Sequence, residues 1–199
     1  MVRRTGRRPG NQDTRQSILH AARAVFAERG YDKASIRAIA GAAEVDPALV
    51  HHYFGTKDKL FLASMNMPID PSKLLPEALA GPRESAGVRL VGLVLRIWDS
   101  PAGAAALAVF RSALSNEWTA RLMREFVVTQ VLRRAVTELS LDPAEAPIRS
   151  ALTATQIAGL LFVRYVLRIE PVASMPAEAL TRAVGPSVQH YLTGDLPQL

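Results

Sequence analysis

The chain has 199 residues, 49 % of them apolar, which supplies one large or two modest hydrophobic cores and argues against disorder. It has no cysteine, which excludes disulfides, thiolate metal sites and redox chemistry at sulfur and permits an intracellular location. The net charge of +6 is uneven: residues 1–60 carry 11 Lys/Arg against 6 Asp/Glu, while residues 61–199 carry 13 against 12, so the basic character points to a polyanion, nucleic acid before membrane.

Arg3, Arg4, Arg7 and Arg8, spaced by Thr and Gly and closed by Pro9-Gly10, predict a flexible cationic arm over residues 1–12. Such an arm can lie along phosphates or enter a narrow minor groove, and a solvated tail is its bland alternative. The apolar run of a secretory signal does not follow these arginines. Asp13-x-x-Gln16 then offers a capping box, ahead of an apolar stripe of Ile18, Leu19, Ala22, Val25 and Phe26 that predicts an amphipathic helix ending at Gly30. Ser35 is a good N-cap for a short second helix that buries Ile36, Ile39, Ala40 and Ala43. Asp46-Pro47 is an N-cap followed by proline at the first helical position, opening a third helix with Leu49, Val50 and Tyr53. Gly55-Thr56-Lys57-Asp58 closes it and caps a fourth, through Leu60, Phe61 and Met65.

Pro68, Pro71 and Pro76 interrupt the chain after Met67, which predicts a small domain over 13–67 and a larger one over 68–199. In the latter, helices are predicted at about 84–99, 102–115, 117–140, 147–169 and 177–193, so the fold class is all-α. The most apolar stretch, Ala151 to Ile169, contains Gln156, Arg164 and Arg168 and reads as a buried or interfacial helix rather than a membrane span.

Two short helices separated by a tight turn, Ser35 to Ala43 and Pro47 to Phe54, have the spacing of a helix-turn-helix, with an ordinary helical corner as the alternative. In the first reading, the start of the second helix points at base edges. Pro47 and Ala48 there can contact a thymine methyl, while His51 and His52 can hydrogen-bond a phosphate or a base edge. Ser35 and Arg37 are candidate phosphate anchors. An adjacent His pair is a poor metal signature, because consecutive helical residues diverge by about 100 degrees.

The run from Ile18 to Leu62 resembles the DNA-binding domain of the TetR family. The resemblance rests on Ala27-Glu28-Arg29-Gly30-Tyr31, Ser35-Ile36-Arg37-Ala38-Ile39-Ala40, Val45-Asp46-Pro47-Ala48-Leu49-Val50-His51-His52-Tyr53-Phe54 and Thr56-Lys57-Asp58-Lys59-Leu60. It implies that Tyr53 contacts phosphate through its hydroxyl and that Lys57 does so at the start of the next helix. Two positions depart from the family pattern. Glu44 stands where the family often has Gly, and would cost about 1 kcal/mol in a left-handed turn; His51 stands where Tyr is frequent.

A palindromic operator requires a two-fold homodimer. The candidate surface is Ala151, Ala154 and Ala158 on one helix with Leu180, Val184, Val188 and Tyr191 on the last, which Gly185-Pro186 is expected to kink. The resemblance implies that this pair meets its symmetry mate in a four-helix bundle. It also implies an apolar effector pocket in the region of Trp98, Phe110, Trp118, Met123, Phe126 and Gln130. The reading is a cytoplasmic regulator, more often a repressor than an activator in such proteins, that binds double-stranded DNA and a small-molecule effector. No membrane association, metal or cofactor is expected. With no Gly-rich phosphate loop and no G-x-S-x-G, nothing in the sequence supports catalysis. A DNA-binding protein without sequence preference and a pure ligand carrier are the rival readings.

Overall fold

In the computed structural model, residues 11–197 are described. They divide at Met67/Pro68 into two compact units. Each is built from helices, and among the described residues there is no strand.

The first unit contains α1 (Asn11–Lys33), α2 (Ile36–Ala42), α3 (Pro47–Phe54) and α4 (Lys57–Ser64). Asn11 and Gln12, expected in the arm, are helical, and Asp13 stands in the first turn of α1 instead of capping it. Gly30, at φ 74°, breaks α1 where the sequence ends it, and Tyr31–Lys33 form a further short turn. The next three starts are fixed by side-chain caps. Ser35 Oγ accepts from the Ala38 N–H, Asp46 Oδ1 from the Ala48 N–H, and Thr56 Oγ1 from the Lys59 N–H, which satisfies N–H groups that have no partner within the helix. Ile18, Phe26, Ile39, Val50, Leu60 and Phe61 are buried between the helices. Phe61 meets Phe26 edge-on at 4.8 Å between ring centroids, and Tyr31 stacks on Phe26 at 5.9 Å.

The turn between α2 and α3 is a Schellman motif: the Val45 N–H donates to the Ala40 carbonyl, and the Glu44 N–H to that of Gly41. Glu44 has φ 55°, so the left-handed geometry that favours glycine is kept here without one. Replacing the exposed Glu44 by Gly is expected to stabilise the unit by about 1 kcal/mol. In thermal unfolding of the full chain the melting temperature should rise by a few degrees; a fall would show that the glutamate side chain stabilises the turn.

The second unit comprises α5 (Pro71–Leu79), α6 (Ala86–Trp98), α7 (Pro101–Ser115), α8 (Glu117–Phe126), α9 (Arg133–Glu138), α10 (Ala146–Leu161) and α11 (Ala177–Thr193). A π-helical stretch, Val127–Leu132, joins α8 to α9, and a second, Phe162–Leu167, extends α10. α5 is a helix that the sequence reading did not predict. Pro71 occupies its first turn, where a missing N–H costs nothing, and Leu75, Ala78 and Leu79 bury its inner face despite Pro76 inside the helix. Leu75, Leu90, Val91, Leu139, Leu180 and Val188 belong to one shared core.

α6 and α11 pack against each other over much of their length. Gly87 and Gly185 face each other at their crossing: a Cβ on Gly87 would lie 2.7 Å from the Gly185 carbonyl oxygen. Gln189 locks the same place, its Oε1 accepting from the Gly87 N–H at 2.7 Å and its Nε2 donating to the Arg83 carbonyl at 3.0 Å. Just beyond it, at the C-terminus of α11, the buried Arg149 donates to the carbonyls of Tyr191 and Gly194 and pairs with Glu145. A cation on these terminal carbonyls complements the helix dipole.

Candidate nucleic-acid interface

α3 turns Val50 and Phe54 inward and presents Pro47, Ala48, Leu49, His51 and His52 to solvent. Ala48 lies three and four residues from His51 and His52, so these three share one surface, with Leu49 on its flank. The Asp46 cap and Pro47 start the helix sharply, and its N-terminal turn projects side chains with no internal competition for them. This is the geometry a recognition helix needs to enter a major groove.

His51 is oriented by the end of its own helix. Its Nδ1 lies 3.0 Å from the Gly55 carbonyl oxygen, while its own carbonyl accepts from the Gly55 N–H. A carbonyl only accepts, so Nδ1 carries the proton and donates to it. His52 packs edge-on against Tyr53 at 5.4 Å. Tyr53 is half-buried, Arg37 is exposed, and Ser35 holds its N-cap position at the start of α2.

Lys57 is half-buried and positioned by its neighbours. Its ammonium sits 4.4 Å from the centre of the Tyr31 ring and 3.4 Å from the Asp32 carbonyl oxygen. Burial pushes its pKa below the usual lysine value, partly offset by the Asp32 carboxylate. The Tyr31 hydroxyl in turn bonds Asp58. α2, α3 and the start of α4 therefore bring Ser35, Arg37, Pro47, Ala48, His51, His52, Tyr53 and Lys57 into one unit. Arg3, Arg4, Arg7 and Arg8 lie outside the described residues.

In the second unit, Trp98 and Phe110 meet edge-on at 5.8 Å. Tyr165, which sequence reasoning missed, packs on Trp98 at 5.3 Å. Its hydroxyl donates to Asp99 at 2.7 Å, and burial together with that bond pushes its pKa up to about 12. Arg164 fastens the same corner through the carbonyls of Val172 and Met175. Phe126, the last residue of α8, and Gln130, within the first π-helical stretch, are buried, and Gln130 bonds Thr129 and Arg134. Met123 is half-buried, and Trp118 is exposed.

The proposed pairing surface needs a correction. Leu180 and Val188 are 3 % and 0 % exposed within the single chain; they belong to the core against α6 and do not face outward. Val184 is half-buried against the same core, and Tyr191 is half-buried. On α10, Ala151 and Ala158 are exposed and Ala154 is half-buried. Together with its π-helical extension, α10 is long and apolar enough to cross a membrane; its most apolar stretch has a mean hydropathy of 1.4, and only 22 % of it is buried within the chain.

Residues 18–64 match the family model "Bacterial regulatory proteins, tetR family", and residues 84–192 match "Tetracyclin repressor-like, C-terminal domain". The chain is 29 % identical over 174 residues to the HTH-type transcriptional regulator BetI of Rhizobium meliloti, covering 84 % of this chain and 85 % of that one. Over 59 residues, 30 % of each chain, it is 46 % identical to the HTH-type transcriptional repressor AcnR of Corynebacterium efficiens. Among solved structures it is similar to a TetR-family regulator of Streptomyces coelicolor A3, with 34 % identity, a TM-score of 0.47, and coverage of 94 % of this chain and 98 % of that one.

Proposed function

The chain belongs to the TetR family of DNA-binding transcriptional regulators, and from that premise we propose that it is a cytoplasmic repressor, released from a palindromic operator by a small-molecule effector. The observation that carries the DNA-reading part is the outward row of α3: Pro47, Ala48, His51 and His52 exposed together on a helix capped at its N-terminus. Ser35, Arg37, Tyr53 and Lys57 supply the phosphate contacts that fix its register.

Dimerisation rests on α10. An apolar helix left largely uncovered in a single chain gains free energy by meeting a second copy, and Ala151, Ala154 and Ala158 allow close approach. The effector occupies the second unit near Trp98, Phe110, Met123, Phe126 and Gln130. It acts by binding more tightly to a dimer whose reading heads no longer match successive major grooves, since only differential affinity shifts such an equilibrium.

Selection of genomic fragments by the purified full chain, followed by titration of the enriched site against scrambled DNA at fixed salt, tests the proposal. A palindrome bound at least about 1000-fold more tightly than scrambled DNA is expected. Binding indifferent to sequence would instead favour a packaging role, and its absence after any bound effector has been stripped would reject DNA reading. Deleting residues 1–8 is expected to weaken operator binding and flatten its dependence on salt, because four arginines no longer displace counterions. Unchanged affinity and slope would remove the arm from the interface.

A further inference from the structure

The sequence places Leu49 among the apolar residues of α3 with Val50, and the structure separates the two. Val50 is 1 % exposed, whereas Leu49 is 39 % exposed at the third position of the helix. A lone exposed leucine needs no explanation. Here, however, Pro47 and Ala48 beside it are exposed too, so the whole first turn of the helix presents carbon and no side-chain donor or acceptor. Polar reading by α3 begins only at His51 and His52. In the major groove the one apolar feature on a base edge is the C5-methyl group of thymine. A protruding isobutyl group at the leading turn of a recognition helix finds its complement there and nowhere else along the base edges.

We propose that Leu49 is a specificity-determining residue of this regulator, packing its side chain against a thymine methyl in each operator half-site. This rests on the assignment of α3 as the helix that enters the groove. Leu49 flanks Ala48 and His52 on the outward surface, so it reads a base step next to the one His52 faces, and it discriminates by methyl contact alone. Cytosine and guanine at that step leave the leucine against polar edges, and uracil leaves it against a gap.

The test uses the full chain and the operator recovered by selection, with each thymine replaced in turn by deoxyuridine at symmetric positions of both half-sites. The exchange removes one methyl group and leaves base pairing intact. At the step read by Leu49, wild type should bind the substituted operator about 15-fold more weakly, roughly fourfold for each lost methyl. The Leu49→Ala variant should bind thymine and deoxyuridine operators alike at that step, while Leu49→Met, which keeps the apolar reach, should retain most of the discrimination. Leu49 is largely outside the core, so both variants should give the circular dichroism of wild type. If no thymine shows a methyl dependence, or if Leu49→Ala leaves it unchanged, the proposal falls while the regulator reading stands. Failure of the wild type to prefer any sequence would reject that reading first, and this one with it.

Discussion

Replacing Gly87 by alanine should destabilise the second unit by about 3 kcal/mol or more, an unusually large effect for the addition of one methyl group. The new Cβ would lie 2.3 Å from the Gln189 backbone nitrogen, 2.6 Å from its Cα and 2.7 Å from the Gly185 carbonyl oxygen. All three are main-chain atoms of α11, so no rotamer change relieves the contact and the two helices must part. Parting them loosens the packing of Leu90, Val91, Leu180 and Val188 and breaks both hydrogen bonds of the Gln189 amide across the crossing. Thermal unfolding followed by circular dichroism, at one protein concentration to hold any association constant, should show a fall of roughly 10 °C. Gly41→Ala is the matched control. Nothing lies within 4 Å of the Cβ it would add in α2, and alanine in a helix should be neutral or slightly stabilising. A Gly87→Ala protein that melts within two degrees of wild type would mean that the helices tolerate a wider separation.

That crossing was not legible in the sequence, and the reason is physical. Gly87 and Gln189 are separated by 102 positions, and a glycine within a helical pattern gives no sign of which partner comes close. The first unit was legible because its information is local: Ser35, Asp46-Pro47 and Thr56 each announce a helix start within four residues of the bond they make. Helix ends were legible in position, with Met65, 140 and 169 expected against Ser64, Glu138 and Leu167, but not in geometry, because Glu44, Asn66, Ser140 and Arg168 adopt the left-handed conformation after α2, α4, α9 and the α10 extension without being glycine. α5 was hidden for the opposite reason, since its prolines announce a break that Leu75 and Leu79 override by packing. On α11, Leu180, Val184, Val188 and Tyr191 form one apolar row, and periodicity marks such a row without saying whether the same chain or a second copy covers it. Of the aromatic cluster in the second unit, Trp98 and Phe110 were found by residue type. Tyr165 joins them through a fold contact about which its own neighbourhood in the chain is silent.

Ala48→Glu should abolish operator recognition while leaving the fold intact. Ala48 is the second residue of α3, is exposed, and donates its backbone N–H to the Asp46 cap at 2.7 Å. A glutamate at this position sits at the positive end of the helix dipole, where a negative charge stabilises by about 0.3–1 kcal/mol, so the melting temperature should hold or rise slightly. Against DNA the same carboxylate is driven between two rows of phosphates and loses water at a surface that already offers apolar contact. A loss of at least about 100-fold in affinity, equivalent to about 2.7 kcal/mol, is expected, and in a two-fold dimer the repulsion acts in both half-sites. Fluorescence anisotropy titrations of the selected operator at fixed salt, with circular dichroism melts of the same preparations, separate the two effects. Ala48→Ser, similar in size and uncharged, should bind within a few fold of wild type. Retention of wild-type affinity by Ala48→Glu would mean that the start of α3 does not face the bases, and the assignment of Leu49 as a base reader would fail with it. Loss of binding without loss of folded structure would place the first turn of α3 at the DNA surface, because a charge accepted by the helix and refused by the complex can act only where the protein meets the DNA.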